Sequence, residues 1–448
     1  MHFLTDNAIK YSIKHLFMVA CPELKKTMSI DIVKGGLSAI VTINSKKIIF
    51  NISNDNDVEK LLSGKSILNL IATADDACQI PIVLLKGMPF AEITDNELRV
   101  NADIISLSFI MLSRFEESMV IERDAFDGFE FKNSIASKYN FIDFPIVDEY
   151  ALILRKYLVS FNLCSKFETN KCIIIPTHDI DQVLRFDGLI QSIRTIFGDM
   201  ILHKKTGVAF ASARQYINSI NNPIHDPYIN SIYKLIDISK EFNLRSEFYF
   251  MGANQSRYNN GYEINTPIIR AIIERIFKNQ MIVGLHGGYE SFNDSLILKR
   301  EKEKVECATD CEIRMGRQHY LRFNIKTTFK TLESVGIKYD STLGYNEQEG
   351  FRCGTCYEYQ PFDFANDCAM KIIERPLIVM DNTLWAFKKY SKSEAYNKVM
   401  QLYLRCLAVG GNFIISWHNS YVNRKTDWFE EVYIKFLKAS MLAKALVL

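Results

Sequence analysis

A five-residue apolar run, Cys172–Pro176, ends abruptly in Thr177-His178-Asp179-Ile180-Asp181, within a stretch that starts at Lys171. Isoleucine at 173–175 favours a buried strand over a helix, because β-branched side chains pack well on a pleated surface. The pattern recurs. Apolar runs at 172–176, 247–251, 281–285 and 412–417 alternate with helical periodicity at about 228–242, 266–279, 295–312, 324–335, 393–409 and 427–445. This rhythm predicts βα units around a parallel sheet or barrel. In such a fold chemistry sits at the carboxyl ends of the strands, which is where Asp179 and Asp181 fall. Residues two apart on an extended segment point the same way, so the two carboxylates should converge. Converging carboxylates call for a cation or a shared proton. The plain alternative is a polar loop with one aspartate capping the next helix.

At 448 residues the chain exceeds what one core usually holds, so two domains are expected. Residues 1–165 read as a smaller α/β domain and 166–448 as the barrel, a division that rests on the change of rhythm alone. In the first part, Lys34–Ser53 alternates as a hairpin, Ile80–Leu85 is a strand candidate, Asp103–Ser118 has one helical apolar face, and Ile146–Phe161 is helical. Acidic and aromatic residues crowd Phe115-Glu116-Glu117 and Asp124–Phe131 without a ligand or nucleophile pattern. In the second part Thr266-Pro267 should open a helix, and Gly336 and Gly410-Gly411 should close two.

Charge and composition exclude several classes. A net charge of +2 argues neither for nucleic acid nor for an anionic membrane surface, and 48% apolar content is ordinary for a globular chain. No stretch is long enough to span a bilayer, and the first residues lack the pattern of an export signal, so a cytoplasmic protein is expected. The ten cysteines show no framework spacing and read as reduced thiols. Cys353-Gly-Thr-Cys356 lacks the second pair that a structural zinc would need.

The eight histidines are few enough to weigh singly. His286 follows Met281–Leu285 and His418 follows Phe413–Trp417, so each stands where a buried strand runs out, as Asp179 and Asp181 do. One such histidine is more often a hydrogen-bonded structural residue; several at equivalent strand ends weaken that account. Gly287-Gly288 permits a tight turn or close backbone approach. If Arg317–Tyr320 is extended, Arg317 and His319 share one face, with Gln318 and Tyr320 on the other. Arg317 can then hold a carboxylate in a fixed orientation and keep it ionised.

Thr177-His-Asp-Ile-Asp181, Gly284-Leu-His-Gly-Gly-Tyr289, Arg317-Gln-His-Tyr320 and Ser416-Trp-His418 fall in the order of the motifs of the polysaccharide deacetylases. The chain thus resembles the NodB-homology group, carbohydrate esterase family four. Gly336–Tyr345 followed by Gly350–Thr355 resembles a bacterial branch of it that carries an extra amino-terminal domain. The resemblance covers roughly 172–420 by motif. It implies a distorted (β/α) barrel and metal-dependent removal of an acetyl group from an N- or O-acetylated sugar or polysaccharide intermediate. By position it implies Asp179 as general base, His418 as general acid, and Arg317 as the residue that orients Asp179. It further implies that the Tyr320 N–H helps hold the oxyanion, and that Asp181 and His286 ligate a divalent metal, zinc being expected. Where the family's second motif has another histidine, this chain has Glu290. Either Glu290 ligates, or His319 does; strand geometry and the affinity of imidazole for zinc favour His319. Two other readings stand beside deacetylation: a carbohydrate-binding pseudoenzyme, and a hydrolase of another non-peptide C–N bond.

Overall fold

The computed structural model describes residues 4–33, 37–66, 68–73, 76–83, 88–165, 172–203, 206–424 and 426–447. Lys34 and Lys171, the end of the strand expected at Ile80–Leu85, and the boundary expected between 165 and 166 fall at least partly outside the described residues.

The amino-terminal part opens with α1 (Asp6–Ala20), capped by Thr5, whose hydroxyl accepts from Ala8 N. Strands β1 (Ser29–Ile32), β2 (Ser38–Ile43) and β3 (Lys46–Asn51) follow, then α2 (Asp55–Ser63). A separate hairpin, β4 (Asn69–Ala72) and β5 (Gln79–Ile82), precedes β6 (Ala91–Ile93) and β7 (Glu97–Val100). The five-stranded sheet runs β1-β2-β3-β7-β6. The expected hairpin is β2–β3, turned at Asn44 and Ser45, both with positive φ. Helices α3 (Ile104–Ser113), α4 (Phe115–Met119), α5 (Ile135–Lys138) and α6 (Ile146–Ser160) complete this part. The expectation of one apolar face for Asp103–Ser118 needs correcting. Every residue of α3 is buried, because α1 and α6 cover one side while Phe362 and Phe364 of the second half pack on Phe109 from the other. The helix also breaks at Arg114, which adopts a left-handed conformation.

The second half holds eight parallel strands, β8 (Ile173–Ile180), β9 (Glu247–Met251), β10 (Ile282–Gly287), β11 (Met315–Gln318), β12 (Tyr339–Asp340), β15 (Ile373–Glu374), β16 (Val379–Met380) and β17 (Asn412–Ser416). They pair in the order β15-β12-β11-β10-β9-β8-β17-β16. A small hairpin of β13 (Phe362–Asp363) and β14 (Cys368–Ala369) lies in the connection before β15. Helices α7 (Leu189–His203), α8 (Thr206–Asn221) and α9 (Pro227–Glu241) separate β8 from β9. Then come α10 (Pro267–Lys278), α11 (Ser295–Thr309), α12 (Thr328–Ser334) and α13 (Lys392–Val409) in the later connections. Thr266 caps α10 and accepts from Ile269 N, and Gly410 ends α13 with a φ of 75°.

This is a parallel βα sheet curled into an incomplete barrel, matching the α/β class expected. The curl shows in contacts between strands that are not neighbours. Arg317 on β11 reaches Thr177 and Asp179 on β8, and Arg375, just past β15, pairs with Glu247 on β9. Strands β15 and β16, at the two edges, are not paired with each other among the described residues.

Candidate active site

The site sits at the carboxyl ends of β8, β10, β11 and β17. Parallel pairing fixes the heights of its residues: His286 on β10 lies opposite Arg317 on β11, and Asp179 on β8 opposite Tyr249 on β9. Alternation along β8 sends His178 the other way. Its Nδ1 meets the Trp417 carbonyl at 2.7 Å and its ring packs on Phe248, so His178 is a core residue.

Asp179 is held by a buried cation. Arg317 Nη1 donates to Asp179 Oδ1 at 2.9 Å and to Thr177 Oγ1 at 2.8 Å. The other guanidinium nitrogens donate to Ser341, Nε to its carbonyl at 2.8 Å and Nη2 to Oγ at 2.9 Å, and the plane lies over the Tyr249 ring. Burial alone would raise the Asp179 pKa. The Arg317 charge, aided by His286 and His418, outweighs burial and lowers it, keeping the carboxylate ionised.

Asp181, His286 and His319 converge, with their ligating atoms within 4.8 Å of one another. His286 Nδ1 lies 3.0 Å from the Arg317 carbonyl, and His319 Nδ1 lies 3.2 Å from Asn259 Oδ1. An oxygen at Nδ1 calls for the proton there, so each Nε2 turns inward, although at His286 Asp179 and Asp181 raise the pKa against burial, so that a cation there competes with a proton. These Nε2 atoms stand 3.2 Å (His286) and 3.8 Å (His319) from the buried Asp181 Oδ1. Two imidazole lone pairs and a carboxylate facing one another fit a divalent cation, with both rings oriented from behind as metal-binding histidines usually are. Burial first, then His286, lowers the His319 pKa to about 4 despite the pull of Asp181, so this ring is neutral at pH 7, the form that ligates. Against the effect of burial, His319 and His286 hold Asp181 well below the usual carboxylate range.

Glu290 does not reach this cluster. Its Oε2 accepts from Asn259 Nδ2 at 2.7 Å, while Asn259 Oδ1 also accepts from Tyr289 N at 2.8 Å. Glu290 therefore stands behind Asn259, which in turn stands behind His319. The extended geometry expected for Arg317–Tyr320 is corrected by the structure. Strand β11 ends at Gln318, and Tyr320 and Leu321 are both left-handed, with φ of 57° and 49°. His319 enters the site from this turn. The Gly288 backbone sits where a Cβ would come 2.6 Å from Ala253 Cβ, so the close approach expected at Gly287-Gly288 is real.

His418 follows β17. Its Nδ1 is 2.7 Å from Asp381 Oδ1, and its backbone N donates to Asp381 Oδ2 at 2.7 Å. Its Nε2 faces the aspartates, 4.0 Å from Asp179 Oδ2 and 3.8 Å from Asp181 Oδ2. Burial opposes the ring's charge, but Asp381, then Asp181 and Asp179, push His418 up to about 10. Asp381 has no counterpart in the sequence reading, and neither has Asn259. Tyr320 is at the rim, where its ring stacks on Phe126 from the amino-terminal part at 4.7 Å. Tyr258 stacks on Tyr289 at 4.0 Å, and Tyr289 meets Tyr320 edge-on, so aromatic rings line one side of the mouth. Cys353 and Cys356 are buried free thiols, and Cys356 lies against Asp148.

Residues 3–162 match a family described as a family of unknown function, DUF7033. No curated protein matches the chain. Among solved structures, a Mycobacterium smegmatis protein assigned as a polysaccharide deacetylase is similar at 16% identity and a TM-score of 0.38, over 61% of this chain and 86% of its own. A CE4 family pseudoenzyme from Bacillus anthracis is similar at 10% identity and a TM-score of 0.29, over 61% and 67% of the two chains. A mutant of it with restored enzymatic activity has the same identity and TM-score, with 69% of its chain covered. At these scores, function has to be read from the site's own geometry.

Proposed function

We propose that this protein is a metal-dependent hydrolase that removes an acetyl group from an N- or O-acetylated saccharide. One observation carries the reading: Asp181 and two imidazoles with inward-facing Nε2 atoms stand between an arginine-held Asp179 and an aspartate-held His418. Asp181, His286 and His319 would hold the metal, zinc by the chemistry of the donor set. A divalent metal there supplies Lewis acidity, polarising the acetyl carbonyl and acidifying water.

The remaining work falls to the chain. Asp179, kept ionised by Arg317, takes a proton from the attacking water. His418, charged and oriented by Asp381, gives a proton to the departing amine or alcohol. The Tyr320 N–H, on the turn after His319, would help hold the oxyanion. Tyr258, stacked on a Tyr289 ring whose other face Arg322 covers, and Tyr320, backed by Phe126, form the aromatic rim against which the apolar side of a sugar ring would pack. Residues 1–165 act as an accessory domain to the barrel of 166–448, contributing Phe126 to the rim.

Acetate release from N-acetylhexosamine oligomers and from O-acetylated glycans tests the proposal. The zinc-loaded protein should release acetate, chelation should abolish release, and Asp179→Asn should slow it by about 10²–10⁴-fold. Binding of the oligomers with no acetate released by the zinc-loaded protein would support the pseudoenzyme reading instead.

A further inference from the structure

The connection that follows Asp181 is built inside out. In α8 the buried positions include Ser212 and Ser219, and Arg185 Nη1 donates to Gln215 Oε1 at 2.8 Å. Arg185 Nη2 also reaches Ser212 Oγ at 3.4 Å. The aromatic inward contact is Tyr216 on Phe186. The outward side carries Phe210, Ile217 and Ile220, with Phe210 77% and Ile220 61% exposed. Helix α7 repeats the inversion. Ser192 is buried, whereas Leu189, Ile193 and Phe197, four residues apart on one face, are exposed, Leu189 at 64%. Water-facing helices place these residue types the other way round.

Charge indicates what covers this face. Residues 189–221 contain Arg194, Lys204, Lys205 and Arg214 against a single acid, Asp199, while the whole chain has a net charge of only +2. Arg194 and Arg214 are exposed on the same two helices as the outward apolar residues. Exposed leucine, isoleucine and phenylalanine flanked by cations suit the boundary between lipid headgroups and acyl chains. A second copy of the hairpin would bring like charges together, which disfavours a dimer.

We propose that the α7–α8 hairpin docks on an anionic phospholipid bilayer, lying in the interface without crossing it. No helix among the described residues is long and apolar enough to cross a membrane. Gln182, Leu184 and Pro223 at the roots of the hairpin line a 260 Å³ cavity with Gln255 and Tyr262, and the Tyr262 hydroxyl donates to the Ile180 carbonyl, one residue before Asp181, at 2.7 Å. The inference is independent of the chemistry assigned to Asp179 and the metal ligands.

Sedimentation of the full chain with vesicles of phosphatidylglycerol and phosphatidylcholine, and with phosphatidylcholine vesicles alone, tests it. The chain should bind the anionic vesicles and only weakly the neutral ones. The triple variant Phe197→Ser, Phe210→Ser, Ile217→Ser should stay in the supernatant, with its circular dichroism unchanged. Should that variant fold poorly, the pair Arg194→Glu and Arg214→Glu decides, with binding at least roughly thirtyfold weaker than wild type expected. Wild-type protein left in the supernatant with anionic vesicles, or variants that bind as wild type does, would overturn the proposal. So would a wild-type dimer in ultracentrifugation that the triple variant converts to monomer, because a second copy would then own the face.

Discussion

At the scale of single residues, the candidate site is held together by groups that fix other groups in place. His418 can deliver a proton only if Asp381 keeps its ring in one orientation. Asp381→Asn should therefore lower kcat by about 10²–10⁴-fold with little change in KM, measured as initial rates of acetate release. Asn259 holds the Nδ1 side of His319. Asn259→Ala should weaken zinc binding by about 10–100-fold, read by competition with a chelating dye. Glu290→Gln should matter less, since glutamine still offers an oxygen to Asn259 Nδ2. Asp179, Asp181, His286 and His418 were legible because each ends a long apolar run. His319 was expected from an extended segment and arrives instead from a left-handed turn at Tyr320. Asp381 follows a strand of only two residues, and Asn259 sits in an irregular loop, so neither is marked by periodicity.

Elements of this molecule are joined by a buried charge network that the sequence showed only as crowding at Phe115-Glu116-Glu117. Arg114 pairs with Glu116 at 2.7 Å and with Glu117 at 2.8 Å, and Arg352 from the second half pairs with Glu117 at 2.8 Å. Arg352 also donates to the Gly344 carbonyl at 2.6 Å. All four side chains are buried, so losing one leaves an uncompensated charge without water. Arg352→Ala should cost about 3–5 kcal/mol in denaturant unfolding. Arg99→Ala, which breaks a partly exposed pair with Glu97, should cost less than about 1 kcal/mol. The long strands β8, β9, β10 and β17 could be read from their apolar runs. Strands β12, β15 and β16 could not, because two residues carry no period. Helices α7 and α8 escaped for a different reason: their apolar residues do not mark a face turned to the core.

Across the whole molecule, the amino-terminal part is bound to the barrel at the strand ends that carry the candidate site. Phe126 stacks on Tyr320, the Phe126 carbonyl accepts from Arg322 Nε at 2.7 Å, and Phe131 N donates to Glu347 at 2.7 Å. These contacts give the amino-terminal part a share in shaping the mouth. Net charge illustrates what a whole-chain quantity hides, since +2 conceals a basic, apolar hairpin in the connection that follows Asp181. The metal site proposed at Asp181, His286 and His319 is open to a direct test. Calorimetric titration of zinc into the metal-free full chain tests it most directly, with wild type, His319→Ala and Glu290→Gln side by side. Wild type should show a single tight site, Glu290→Gln near-wild-type binding, and His319→Ala an affinity lowered by at least about tenfold. Tight zinc binding retained in His319→Ala, or lost in Glu290→Gln alone, would contradict this ligand set.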